Sequence, residues 1–182
     1  MNNDFDNIDF EEWEGDYHLI EEEDWAGLVK LRKQRAEKNL HDLHSQWSYG
    51  EALIFNQKFK QALEFLTPIY KKESDYPDVI HSILDALYGL GKTENEFDWV
   101  EKPVVLKLNE ETKNLCKVFL KKKRKPISFL SLYEYLIIEF DYLKFQEKDL
   151  YEYLKTNGFF EFSDNEKEFW DVDIKLLKKE KN

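Results

Sequence analysis

The chain has 182 residues, of which 42% are hydrophobic and 16% aromatic, so it can form a packed core. Six Gly and four Pro are too few for the many turns of a β-sandwich or barrel, and a mainly α fold is expected. Of 38 acidic residues, eleven lie in residues 1–24, which contain no Lys or Arg, and the other 27 balance the 27 bases. Because the body has no excess of positive charge, nucleic acid is not an expected partner.

The sequence also predicts a cytoplasmic protein. No apolar stretch follows a basic N-terminal region, so no signal peptide is indicated. The longest apolar runs are much shorter than the about 20 residues that a membrane span needs. Cys116 is the only cysteine, which excludes an internal disulfide framework and suits a reducing compartment. We expect its thiol to be buried in a helix.

Residues 1–23 form an acidic arm with interspersed apolar residues such as Phe5, Phe10 and Trp13. Two interpretations are open. The arm is a solvated tail, or it docks its aromatic side chains on the body or on a partner.

A helical domain is predicted over residues 24–105. Asp24 is placed to cap the first helix, and Thr93 and Glu96 form a capping box for a short helix that reaches Trp99. Pro77 suits the first turn of a helix, where its missing N–H is not needed. The expected helices run from Trp25 to Asn39, from Leu43 to Gln57, from Phe59 to the Ser74–Pro77 stretch, and from there to Gly89–Gly91.

The middle of this domain has small and bulky residues at characteristic offsets: Gly50, Leu53, Phe59, Ala62, Leu66 and Ile69. In this order the segment Trp25–Lys102 resembles a tetratricopeptide repeat. Trp47 lies one residue from the family's Trp position, and no Pro closes the repeat. The resemblance implies antiparallel helix pairs and a concave peptide-binding face lined by the first helix of each pair, without catalysis. The alternative is an ordinary helical bundle with one chance match.

A second domain is predicted over residues 106–182, with the boundary near Pro103–Asn109. Its expected helices are Glu110–Lys121, Ser128–Phe140 and Glu147–Asn157, with Gly158 as a left-handed cap, followed by a β-hairpin over Phe159–Phe162 and Phe169–Ile174. Three helices and a hairpin resemble a winged helix over Glu110–Ile174.

The winged-helix resemblance implies a third helix that enters the DNA major groove. Here that helix has three acids against two bases, and the predicted wing, Ser163–Glu168, is acidic as well. Phosphates would repel both, so we interpret the domain as a protein-docking module. The basic run Lys121–Lys125 follows a helix, where cations complement the helix dipole. It is a solvated helix end or the binding site of an acidic partner, such as the protein's own acidic arm.

No chemistry is predicted from the motifs. Gly89–Thr93 fits a relaxed phosphate-loop pattern, but helical rather than strand spacing precedes it, so we interpret it as a turn between helices. His41 and His44 share a helix face, but no further metal ligands have suitable spacing. We therefore expect no enzyme, no metal and no cofactor.

The sequence thus predicts a binding or adaptor protein that recognises a protein or peptide. A specific version is a neutralising partner of the immunity-protein or antitoxin type, whose acidic arm covers a basic active site. The alternative is a winged-helix transcriptional regulator that binds DNA through Lys121–Lys125. The predicted partner-binding residues are Trp13, Trp25, Lys30, His41, His44, Trp47, Tyr49 and Asn56.

Overall fold

The computed structural model describes residues 10–163 and 168–177. The chain divides into two compact units, Met1–Lys102 and Pro103–Asn182. Eight α-helices lie in the described residues, five in the first unit and three in the second, and the few strands are short. The prediction of a mainly α protein is confirmed.

The first unit is a row of helices that are adjacent in sequence and in space. Turns of three or four residues connect them, consecutive helices pack against each other, and α3 also contacts α5. Such short turns make neighbouring helices run in opposite directions. The helices are α1 (Phe10–Glu21), α2 (Trp25–Lys38), α3 (Leu43–Phe55), α4 (Phe59–Lys72) and α5 (Pro77–Gly89), followed by a short 3-10 helix (Glu94–Glu96).

The helix starts follow the local capping chemistry of the sequence. The Asp24 carboxylate accepts a hydrogen bond from the Gly27 N–H at 2.9 Å, as predicted for the start of α2. The capping box of Thr93 is also present, but the helix that follows is a single 3-10 turn that ends at Glu96. Helix α3 ends at Phe55, two residues before Gln57, where the sequence predicted its end. Gln57 has a left-handed φ of 55°.

Close contact between α3 and α4 depends on small residues. Ala62 is fully buried, and a Cβ on Gly50 would overlap the side chain of Leu66. The spacing of Gly50 and Ala62 thus allows the two helices to approach. The core around them consists of Leu53, Ala62, Leu66, Tyr70, Val79, Ile83, Ala86 and Leu87.

Tyr70 explains why the chain does not continue as a helix to Trp99. The buried Tyr70 ring lies 5.4 Å from the Trp99 ring and 5.8 Å from the Phe97 ring, both in edge-on geometry. Its hydroxyl accepts a hydrogen bond from the Val100 N–H at 2.9 Å. These contacts hold the segment after Glu96 in an extended path over the core, and the loss of helix is compensated by aromatic packing.

A buried ionic network joins α1, α2 and α3, and we call Asp16, Arg32, Arg35 and Glu51 the Arg32 network. Arg32 is 5% exposed and Asp16 is 2% exposed. Arg32 Nε donates to Asp16 Oδ2 at 2.9 Å, and its Nη1 donates to Glu51 Oε2 at 2.7 Å and to the Ser48 carbonyl at 3.1 Å. Arg35 Nη1 donates to Asp16 Oδ1 at 2.8 Å. Each buried charge therefore has hydrogen-bonded partners of opposite sign.

The Arg32 network decides how the second half of the acidic arm lies. Residues 10–21 form a helix that packs on α2, and Asp16 is held there by two arginines. This part of the arm is docked on the body rather than a solvated tail. The first nine residues and the Trp13 side chain lie outside the described residues.

The second unit has helices α6 (Glu110–Lys121), α7 (Phe129–Glu139) and α8 (Glu147–Lys155) and strands β1 (Val105–Leu106), β2 (Ile127–Ser128), β3 (Tyr142–Leu143), β4 (Phe160–Phe162) and β5 (Asp173–Leu176). Strands β2, β5 and β4 form an antiparallel sheet in that order, and β1 pairs with β3 in parallel. Gly158 has the predicted left-handed conformation, with a φ of 52°.

The hairpin differs from the prediction in its second arm. Residues Phe169–Asp171 form a 3-10 turn, and only Asp173–Leu176 pair as a strand. The Phe169 ring lies 5.9 Å from Tyr151 and 6.3 Å from Phe129, within the core of this unit. Because this ring packs in the core, residues Phe169–Asp171 do not pair with β4. The alternating apolar pattern that predicted a strand there is therefore not followed.

Ala62→Trp should destabilise the first unit strongly. A fully buried alanine between two close helices leaves no room for an indole, and overpacking costs about 3 kcal/mol or more for so large a change. The measurement is thermal unfolding followed by circular dichroism. Gln61→Trp, at the exposed neighbouring position of the same helix, is the control and should leave the melting temperature nearly unchanged. Equal melting temperatures of the two variants would show that Ala62 does not lie at the helix crossing.

Asp16→Ala should lower the free energy of unfolding by about 3–5 kcal/mol, because it leaves the buried Arg32 without its main counter-charge. Glu21→Ala removes an exposed carboxylate from the same helix and should change stability by less than about 0.5 kcal/mol. Urea titrations of both variants provide the comparison. A similar, small effect of both would mean that α1 is not held by its buried aspartate.

Candidate functional site

A concavity in the first unit lies between the α2–α3 turn and the C-terminal half of α4. Its volume is about 210 Å³, enough for one large side chain of a partner. Half-buried Leu43 and Ile69 contribute apolar wall, and Leu40 stands 69% exposed at the edge. The lining residues are Leu40, His41, Leu43, Gln46, Pro68, Ile69, Lys72 and Glu73. We call this the Leu40 cleft.

The turn that carries Leu40 and His41 is fixed at both ends. At its start, the Asn39 N–H donates to the Arg35 carbonyl at 2.9 Å and closes α2. At its end, the Asp42 carboxylate accepts from the Ser45 N–H at 2.8 Å and begins α3. Gln46 Nε2 reaches back from α3 to the Ala36 carbonyl at 2.7 Å. The exposed leucine is therefore presented by an ordered turn.

The Asp42 cap is strengthened by its charge. Burial would raise the pKa of the Asp42 carboxyl, but hydrogen bonds from the Ser45 side chain and backbone and from the His44 backbone outweigh it and lower the pKa. Because the pKa of Asp42 is lower in the folded state, the cap stabilises the turn at pH values above the ordinary carboxyl pKa. This stabilisation is lost as the pH falls through the folded-state pKa. The turn is therefore intact at neutral pH.

The polar rim of the Leu40 cleft carries both signs of charge. Lys72 is exposed at the end of α4, Glu73 caps that helix, and His41 is exposed across the cleft. An apolar wall with a mixed rim suits an aliphatic or aromatic side chain flanked by polar groups. It does not bring together groups that could act as a nucleophile and its base.

The structure separates the predicted partner-binding residues instead of gathering them into one groove. His41 lines the Leu40 cleft, whereas the His44 ring lies 5.0 Å from the Trp47 ring on α3. Trp47 Nε1 donates to Ser82 Oγ at 2.9 Å, so this indole joins α3 to α5 and is partly buried. Trp47 thus contributes mainly to packing.

The remaining predicted residues that the structure describes do not line the Leu40 cleft. The Trp25 ring contacts Phe55 at 5.3 Å, and the Tyr49 ring packs edge-on against Phe65 at 4.7 Å. Asn56 ends α3, and Lys30 is exposed on α2. The side chain of Trp13 is outside the described residues. The Leu40 cleft also lies beside α4, a second helix of a pair, and not on the face of the first helices that the repeat resemblance implies.

Sequence reasoning missed Arg32, although a signal for it exists. Leu28, Arg32 and Ala36 are spaced by four residues, and all three are buried on one face of α2. An arginine between two buried apolar positions indicates an internal ion pair. For Pro68, Ile69 and Lys72 no such signal exists, because only the packing of α4 brings them opposite the turn that carries His41.

The described residues show no cluster of metal-binding side chains. No group of three or more His, Cys, Asp or Glu side chains in residues 10–163 and 168–177 could hold a metal ion. Gly89 is the last residue of α5, and Gly91 adopts a left-handed φ of 71° beyond it.

Burial and a hydrogen bond to Glu94 raise the pKa of the Tyr88 hydroxyl. The phenol therefore stays protonated and donates to Glu94 at 3.0 Å.

The Cys116 thiol is fully buried in the core of the second unit. Burial raises its pKa from the usual 9.0 to about 12. The thiolate, which is the reactive form, is therefore scarce at neutral pH. Since the folded-state pKa is raised, this thiol favours the folded state below pH 9 and weakens it as the pH rises towards 12.

The chain gave no match to any protein-family model, to any curated protein or to any solved structure with which it was compared. Within the described residues, none of the helices combines the length and the apolar character that crossing a membrane requires.

Cys116 should resist thiol reagents in the native protein. At pH 8 we expect less than one tenth of the chains to react with a disulfide reagent in the time that the urea-unfolded chain needs for complete reaction. Absorbance of the released thiolate measures both. The Cys116→Ser variant defines the background. Rapid native labelling of Cys116 would place the thiol at an accessible, reactive site.

Proposed function

We propose that this chain is a non-catalytic protein-binding protein and that the Leu40 cleft receives one apolar side chain of a peptide or protein partner. This proposal rests on Leu40, which is 69% exposed on a turn held by hydrogen bonds from both flanking helices. A large aliphatic side chain gains nothing from exposure to water. Its presentation on an ordered turn beside a half-apolar concavity supports a recognition surface.

The arrangement of the first unit supports a relation to tetratricopeptide repeats. The small residues Gly50 and Ala62 lie where α3 and α4 touch, as the offsets predict. Helix α3 contacts both its partner α4 and the first helix of the following pair, α5. In such repeats, alternate helices share one face, and stacked pairs form binding surfaces for peptides. We propose that the first unit is built in this way.

The second unit supports a relation to winged helices. Its three helices are followed by the β4–β5 hairpin, and the short strand β2 before α7 pairs with β5. In a winged helix, α8 would correspond to the DNA-recognition helix, and its exposed Asp149 and Glu152 would oppose phosphate binding. We propose that the unit is a protein-docking module.

A neutralising function of the immunity or antitoxin type fits a specific part of the acidic arm. Asp16 is occupied by Arg32 and Arg35 and is not available to a partner. The four acids Glu21–Asp24 are exposed at and beyond the end of α1. A basic active site would be covered by these carboxylates rather than by Asp16.

The Leu40 cleft should select peptides that carry an apolar anchor. We expect peptides enriched from a random display library on the full chain to bind Leu40→Asp at least about tenfold more weakly, because the variant places a charge against their anchor. Fluorescence anisotropy with the enriched peptides gives the affinities. Leu90→Asp, which alters another exposed leucine of the same unit, is the control and should bind as the native chain does. No enrichment, or equal binding by the two variants, would contradict this site.

The second candidate function is DNA binding, which the exposure of all five residues of Lys121–Lys125 favours. We expect it to fail, because the body has no net positive charge and the arm carries eleven acids. Anisotropy with random duplexes at about 150 mM salt should show no binding below about 1 µM. Tighter binding that is lost when Lys121–Lys125 are changed to Gln would establish the regulator instead.

A further inference from the structure

The outer face of α7 in the second unit is apolar and exposed. Ile138 is 81% exposed, Ile137 53% and Leu130 39%. Leu130 and Ile137 are seven residues apart and lie almost in line along the helix, and Ile138 is next to them. Three large aliphatic side chains on one helix face are unusual for a surface without a partner.

This apolar face is continuous with the basic run at the end of α6. Tyr135 is one helix turn before Ile138, and its ring stacks on Phe119 of α6 at 4.0 Å with an interplanar angle of 15°. Lys123 Nζ lies 4.5 Å from the centre of the Phe119 ring. Because helix spacing places Tyr135 beside Ile138, the two stacked rings connect the aliphatic face of α7 to Lys123. We call this region the α6–α7 surface.

The cations of the α6–α7 surface have no ion-pair partner within residues 10–163 and 168–177. All five side chains of Lys121–Lys125 are exposed. Adjacent cations repel each other, and a carboxylate-bearing partner would relieve that repulsion. The surface thus combines an aliphatic part and a strongly positive part.

Two carboxylates decide between the possible classes of partner. Glu134 is exposed between Leu130 and Ile138, and Glu139 is exposed directly after Ile138. Anionic lipid headgroups or a phosphate backbone laid over the aliphatic part would meet these carboxylates and be repelled. A protein helix can place apolar side chains there and limit its carboxylates to the part that faces Lys121–Lys125.

A second copy of the chain is a poor occupant. Helix α7 contains no Lys or Arg, so two copies packed through α7 would bring Glu134 of each towards the other and leave the basic run unpaired. Its 11 residues span only about 16 Å. Two such short faces bury far less than the about 1,200 Å² of a standard interface.

We propose that the α6–α7 surface binds an amphipathic helix of another protein, whose aliphatic side chains pack on Leu130, Ile137 and Ile138 and whose carboxylates face Lys121–Lys125. The partner class is therefore an acidic amphipathic helix, read by apolar residues three and four apart. This surface is separate from the Leu40 cleft, and either assignment can fail while the other stands.

The test uses the full chain and a labelled synthetic helix of about 20 residues, with Leu along one face and Glu in its first two turns. We expect micromolar binding that weakens as salt rises, and at least about tenfold weaker binding by Ile138→Glu and by a variant with Lys121–Lys125 changed to Gln. Leu177→Glu, which alters an exposed leucine directly after β5, and Leu40→Asp should bind as the native chain does. Because all these side chains are exposed, circular dichroism should show unchanged folds.

Several results would overturn the proposal. One is no binding of the acidic helix, and another is binding that Ile138→Glu leaves unchanged. Equal binding of a twin peptide with Lys in place of Glu would remove the role of the basic run. Tighter binding of duplex DNA or of phosphatidylserine vesicles would assign the surface to phosphates. Sedimentation could also show a dimer of the free chain that the Ile138→Glu variant no longer forms. That result would assign the α6–α7 surface to a second copy of the chain.

Discussion

Arg32 is a buried charge at the junction of three helices, and the first unit has to be arranged around it. A guanidinium cannot lose its proton, so its charge must be matched by acids inside the protein. Asp16 supplies this match from α1 and Glu51 supplies it from α3, while the Ser48 carbonyl takes a further hydrogen bond. Because the partners of Arg32 come from two other helices, α1 and α3, the network specifies which helices are neighbours and at what height they meet. Apolar contacts alone would not specify this so closely.

The same network determines which acidic residues of the arm remain available to bind. The first 24 residues carry eleven acids without a base, and one of them is withdrawn into the protein. The acids that remain exposed at the end of α1 stand beside the first turn of α2, not in a free tail. A negative surface fixed on a folded unit can be complementary in shape as well as in charge, which a free tail cannot.

The two candidate surfaces differ in how they achieve exposure of apolar residues. At the Leu40 cleft, a turn between helices holds one leucine out of the core beside a concavity. On α7, the helix has apolar residues on two faces: Leu132 and Leu136 are buried in the core, whereas Ile137 and Ile138 face outward. A helix that is apolar all round is expected when both faces are covered. Only one face of α7 is covered in the described part of the chain, and this is the basis on which we propose a partner for its outer face.

Local chemistry made much of the fold predictable from the sequence. Asp24, Pro77, Thr93 with Glu96, and Gly158 each determine a cap or a backbone angle through neighbours within a few residues, and the structure has each of them as expected. Helix periodicity likewise located most helices to within one or two residues. The small residues Gly50 and Ala62 also indicated the close approach of α3 and α4.

Other features depended on contacts between residues far apart in the chain, and no local pattern contains them. Phe97 leaves the predicted helix and Phe169 leaves the predicted strand, because Tyr70 in one unit and Phe129 and Tyr151 in the other offer aromatic packing. The Leu40 cleft exists only because the end of α4 packs opposite the α2–α3 turn. The sequence by itself determined the caps, the helices and the distribution of charge, since these depend on near neighbours. Tertiary packing alone decided which charges are buried and which apolar residues face water, because burial depends on what the rest of the chain places against each side chain.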